Sequence, residues 1–131
     1  MIYLAVTTIV FGLPQGQWSS QVDLCLPAPT LSLRDLIAYK IAREVAEVEA
    51  GQRPGLSGEH LSPETLISAT APGALLPGTV EDEIERAQQA FALRAYMIVM
   101  DDRRLLDPEA QLTVSPSSCI EFIKILPLVG G

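Results

Sequence analysis

At Pro27 and Pro29 the spacing of apolar residues switches from two to about 3.6, and this switch constrains the fold more than any other feature of the chain. Before it, Met1 to Phe11 is apolar and β-branched, the composition of a largely buried strand. Gly12-Leu13-Pro14-Gln15-Gly16 is a turn-forming cluster that stops it. From Gln17 to Leu26 the residues alternate, with Trp18, Ser20, Val22, Leu24 and Leu26 on one face and Ser19, Gln21, Asp23 and Cys25 on the other. The two runs predict an N-terminal hairpin. Beyond the prolines, Leu33, Leu36, Ile37, Ile41, Val45 and Val48 are expected on the apolar side of a helix, with Arg34, Lys40, Arg43, Glu44 and Glu47 on the other. Ser32 and Asp35 form an N-terminal cap, and Gly51 is a suitable stop.

Residues 51 to 78 are punctuated by glycine and proline without a sustained period, and read as a long loop or excursion. A second helix opens at Thr79, with Val80, Ile84, Ala87 and Phe91 on its apolar stripe. Its other face, Glu81, Asp82, Glu83, Glu85 and Arg86, is charged and read as solvated, a docking surface for a basic partner being the sharper alternative. Ala95 to Met100 reads as a short buried strand ended by a polar turn at Asp101-Asp102-Arg103-Arg104, after which Leu105 and Leu106 are expected to return to the core. Asp107-Pro108 and Ser115-Pro116-Ser117-Ser118 are turns, with Gln111 to Val114 a short bridging segment between them. The last strand, Cys119 to Leu126, is dense enough in Ile and Phe to predict a central place in the sheet. Two strands, a helix packed across them and further strands returning through the centre describe an α+β, β-grasp fold with a mixed sheet, one main helix and an inserted loop plus second helix.

The 131 residues fit one domain, 1–131, with a core of 1–50 and 95–131 and an insertion of 51–94. Hydrophobic residues at 48% supply a core, and a formal charge of -7 argues against nucleic acid or an anionic membrane as partner. The apolar N-terminal run lacks a basic leader and is too short to span a bilayer, so it is read as strand and not as signal peptide. Cys25 and Cys119 lie far apart, outside any C-x-x-C pair, and are expected as small core residues in a reducing cytoplasm. His60 is the sole histidine and sits in the excursion without a nucleophile elbow, which argues against a hydrolase. Neither phosphate-binding glycine motif occurs, so no nucleotide cofactor is expected. Asp101-Asp102 lacks a third ligand at suitable spacing, so no metal is expected there.

The chain closes on Leu126-Pro127-Leu128-Val129-Gly130-Gly131. Together with Leu31-Ser32-Leu33-Arg34-Asp35-Leu36-Ile37, Val99-Met100-Asp101-Asp102-Arg103-Arg104-Leu105-Leu106 and Ile123-Lys124-Ile125, this ending resembles the ubiquitin-like proteins. The Leu-Pro-Leu-Val-Gly-Gly ending is closer to the bacterial sulfur carriers of the molybdopterin and thiamine pathways than to eukaryotic ubiquitin. The resemblance covers residues 1 to 50 and 95 to 131. It implies that the chain is no enzyme and needs no cofactor, but is an acyl group moved by others. A ubiquitin-activating-like adenylyltransferase would adenylate the carboxylate of Gly131, Gly130 keeping the approach slim while Leu126, Leu128 and Val129 engage the partner. A conjugating enzyme would pass the thioester to target proteins, and a deconjugating protease would reverse the bond. The alternative within the family is a sulfur carrier with a C-terminal thiocarboxylate. The large insertion favours the modifier, since a tag gains from added readable surface.

A third reading is a non-reactive β-grasp interaction module. If Phe122 packs on the helix, alternation leaves Ile123 and Ile125 on the opposite face, where an exposed aliphatic patch would bind a partner or a second copy of the chain.

Overall fold

Alternating side chains on the first two strands face either a helix or solvent. A computed structural model of the chain describes residues 1–13, 16–50 and 80–125. Strands β1 (Ile2–Leu13) and β2 (Gly16–Leu26) pair antiparallel from Ile2 opposite Leu26 to Val10 opposite Trp18. Leu4, Val6, Thr8 and Val10 on β1, and Val22, Leu24 and Leu26 on β2, are buried on one face, as the period of two predicts. β1 runs past the expected stop at Phe11. The ladder shifts by one residue between Val10 and Leu13, and Gly12, at φ 91°, takes the left-handed backbone that lets β1 absorb the extra residue. Pro14 and Gln15, residues 51–79 with the excursion and His60, and residues 126–131 lie outside the described residues, as do the side chains of Trp18 and Val48.

Strand β3 (Thr30–Ser32), which the sequence does not announce, leads into helix α1 (Leu33–Glu49). The expected cap is present, the amide of Asp35 donating to Ser32 Oγ at 3.1 Å. The amides of Leu33 and Arg34 donate to the carbonyls of Ala110 and Pro108, at 3.0 and 2.9 Å. Those acceptors belong to the turn before β6 (Gln111–Thr113), which is no mere bridge: it pairs antiparallel with β3, setting Leu31 against Leu112. Distant chain thus satisfies the amides that a helix start leaves orphaned.

Helix α2 (Val80–Ala92) packs on α1, and Ala87, Ala90 and Phe91 join the same apolar cluster as the sheet and α1, so this part of the insertion belongs to the main core. It ends in a Schellman arrangement: the amide of Ala95 reaches the carbonyl of Ala90 and that of Arg94 reaches Phe91, both at 2.9 Å. Arg94 occupies the left-handed position at φ 62°, where glycine is usual. Strands β4 (Met97–Met100) and β5 (Arg103–Leu105) form a hairpin whose two turn residues, Asp101 and Asp102, both have positive φ, 50° and 67°. That is the twist a two-residue hairpin demands. Asp101 Oδ1 accepts from the amide of Cys119 at 2.9 Å, tying the hairpin to the approach of the last strand, β7 (Ile120–Ile125).

The main sheet has the order β2-β1-β7-β4-β5. β7 is central, parallel to β1 and antiparallel to β4, as its composition predicts. With α1 across one face, the molecule has an α+β, β-grasp-like architecture. No described helix is long and apolar enough to cross a membrane.

Four expectations are corrected. Lys40 and Glu44, assigned to the charged side of α1, are 0% and 3% exposed and form a buried ion pair. At about 100° per residue both point within about 20° of Leu33, the centre of the buried face. Their chemistry suggested solvent, but their angle decides otherwise. Glu83 is likewise buried, paired with Arg86 of the same helix at 2.8 Å. Cys25 and Cys119 are exposed, because Cys25 lies on the wet face of β2 and Cys119 precedes β7. Leu106 is 58% exposed while Leu105 packs against the core, since β5 ends between them.

Candidate functional site

Two regions are built around β7, one beneath it and one on its open face. Beneath it, Phe122 is fully buried, with the Lys40 ammonium 4.7 Å from its ring centroid. Tyr96 also stacks on Phe122, the ring centroids 5.7 Å apart and the planes 17° from parallel. The Tyr96 hydroxyl donates to the carbonyl of Ala87 in α2 at 2.8 Å. Burial, and then the charge of Glu44, push its pKa above the ordinary tyrosine value, so it stays neutral. Lys40, Glu44, Tyr96 and Phe122 therefore join α1, α2 and β7 through polar contacts in a low-dielectric core. This cluster organises packing, and its reactive atoms are shut away from any substrate.

On the open face, register brings together residues far apart in sequence. Ile9 of β1 pairs with Ile123 of β7, which pairs in turn with Met97 of β4. Next to this row, Phe11 lies beside Ile125, which is 61% exposed. Ile123 and Ile125 thus share a face, and Ile9, Phe11 and Met97 extend it. These three carry the alternation of their own strands, but only strand order shows that they meet. The β4 ladder begins opposite Ile123, so Lys124 and Ile125 run past the end of β4 and pair only with Val10 and Phe11 of β1. Desolvation at this point lowers the pKa of Lys124.

Leu126, Leu128, Val129, Gly130 and Gly131 lie outside the described residues. Asp101 and Asp102 form the β4–β5 turn, and among the described residues no group of three or more His, Cys, Asp or Glu is placed to hold a metal ion. On the open face of β7, Phe11 and Ile125 are exposed, while Ile9, Ile123 and Met97 are half-buried. No family model, curated protein or solved structure matches this chain.

Proposed function

We propose that the chain is a ubiquitin-like protein modifier whose Gly131 carboxylate is activated and transferred to target proteins. The observation that supports this reading is the path of β7. It is the central strand, parallel to β1, its described part ends at Ile125, and the sequence continues through Leu126-Pro127-Leu128-Val129 to Gly130-Gly131. Six residues of extended chain reach about 20 Å, enough to carry a slim terminus into a partner's catalytic cleft.

The chemistry is that of acyl transfer. A Gly131 carboxylate oxygen attacks the α-phosphorus of ATP in the activating enzyme and releases pyrophosphate. A cysteine thiolate of that enzyme then attacks the acyl-adenylate carbon, releasing AMP and leaving a thioester. The amine of a target displaces the thiolate and forms an amide. The reading places this work in the ATP-supplied, reducing cytoplasm, in keeping with two exposed free thiols. It requires Gly131 to carry a free carboxylate.

Intact mass spectrometry of the chain with a candidate activating enzyme, ATP and sulfide tests it. Heavier protein adducts that vanish when Gly130 and Gly131 are deleted support conjugation. A gain of about 16 Da, oxygen replaced by sulfur, means a sulfur carrier instead. Activation of the truncated chain refutes the terminal chemistry. A second reading, a non-reactive interaction module, draws on the face that carries exposed Phe11 and Ile125 beside half-buried Ile9, Ile123 and Met97, and an unchanged mass with every candidate enzyme favours it.

A further inference from the structure

A recess of about 150 Å³ opens between the end of α2, the β5 edge and the turn that follows it. Phe91, Tyr96, Leu105 and Leu106 give it an apolar lining, while Arg94 and Arg104 stand at its rim. A volume of this size holds one benzene ring or one leucyl side chain. Leu93, 71% exposed, and Leu106 add apolar surface beside the opening.

The charges at the rim are unusual for this chain. Acidic residues outnumber basic ones by sixteen to nine, so a cation finds a carboxylate easily. Arg34, Lys40, Arg43 and Arg86 each do so, with Glu109, Glu44, Glu47 and Glu83. Among the described residues, Arg94, Arg103 and Arg104 form no ion pair, and all three lie at this end of the molecule. In the neighbouring turns, Asp101 holds the amide of Cys119 and Asp107 that of Glu109, and Asp102 is exposed on the hairpin. Arg94 also occupies a left-handed position that glycine would fill with less strain. Local folding therefore does not explain its presence, whereas an anionic partner does.

We propose that this recess is a docking site for a segment of another protein in which one leucine or phenylalanine side chain is flanked by acidic residues. The apolar side chain fills the recess between Phe91, Tyr96 and Leu105, and the flanking carboxylates meet Arg94 and Arg104. The proposal does not depend on the fate of Gly131.

The test uses the full chain and a fluorescein-labelled peptide, Glu-Asp-Leu-Asp-Glu, with anisotropy as readout and amide chemical shifts to locate binding. Shifts at Arg94, Arg104, Leu105 and Leu106, and affinity that falls as salt rises from 50 to 300 mM, are expected. Arg94→Gly is the decisive variant, because it removes the guanidinium and relaxes the backbone at once. It should keep or raise the melting temperature while weakening binding about threefold, and Arg94→Gly with Arg104→Ala about tenfold. Replacing the peptide leucine by serine should also abolish most of the affinity. Equal binding of the serine peptide would mean attraction of an anion only, and unchanged affinity in the double variant would place binding elsewhere. The same amides shifting with protein concentration alone would make a second copy the occupant. Any of these three results overturns the proposal.

Discussion

Replacing Lys40 by methionine keeps the length of the side chain but strips Glu44 of its buried partner. Lys40 is fully buried and Glu44 nearly so, and the ammonium also lies 4.7 Å from the Phe122 ring centroid. Removing one member of a buried pair costs about 3 to 5 kcal/mol, because the remaining charge keeps its desolvation penalty. Loss of the cation–π contact is contained in the same difference, at about 0.5 to 2 kcal/mol. An expected destabilisation of about 4 kcal/mol, with an unfolding entropy near 0.28 kcal/mol/K for 131 residues, lowers the melting temperature by about 14 °C.

The companion variant, Lys40→Met with Glu44→Leu, removes both charges and fills the space with apolar atoms. It is expected within about 1 kcal/mol of the parent, or above it. Urea unfolding followed by circular dichroism, with all four corners of the double-mutant cycle, gives the coupling directly. Two results would refute the reasoning. A single Lys40→Met variant within 1 kcal/mol of the parent would mean that the pair is hydrated. A double variant as unstable as the single one would mean that shape, and not charge, is what the core requires.

Tyr96 makes stability fall at high pH. Its pKa is raised in the folded state, so above pH about 10 the unfolded chain releases a proton that the folded chain retains, and stability drops by about 1.4 kcal/mol per pH unit. Below pH 10 this penalty is absent. Tyr96→Phe should cost about 1 kcal/mol at pH 7, through the lost bond to Ala87, yet flatten the decline between pH 10 and 11.5. Identical slopes for the two proteins in urea titrations would contradict the assignment. Ser32→Ala removes the cap of α1 and should lower stability by about 1 kcal/mol, whereas Ser32→Gly should cost only a few tenths. An alanine variant with the parent's denaturation midpoint would show that the Ala110 and Pro108 carbonyls hold the helix start unaided.

Features legible from sequence are those whose cause is local. The inward face of β2, the Ser32 cap, the helix beyond the prolines and the core placement of Phe91 follow from periods and caps that operate within a few residues. The central place of β7 was also legible, since Ile120 and Phe122 are too apolar for a wet strand and Ile123 adds apolar character to the other face. Of the candidate site, sequence supplied Ile123 and Ile125 and their common face. It did not supply Ile9, Phe11 or Met97, because the side on which a neighbouring strand lies depends on pairing across more than a hundred residues for β1 and β7.

Charge is where tertiary structure overrode the chain most. Lys40 and Glu44 look like surface residues one by one, and so does Glu83, but burial belongs to the angle a side chain takes and to what packs there. A carboxylate or ammonium can stay inside only when a partner and hydrogen bonds replace its water, and that partner is known once the helix is placed. The same holds in reverse for Arg94 and Arg104. Nothing in their spacing says that they converge on one recess or that they lack carboxylates, since ion pairing is decided by the positions of whole elements. Local chemistry dictated the long strands and the helices, whereas β3 and β6 become strand only by pairing with each other. The meeting of distant side chains, which makes a surface able to recognise anything, was settled only when those segments packed.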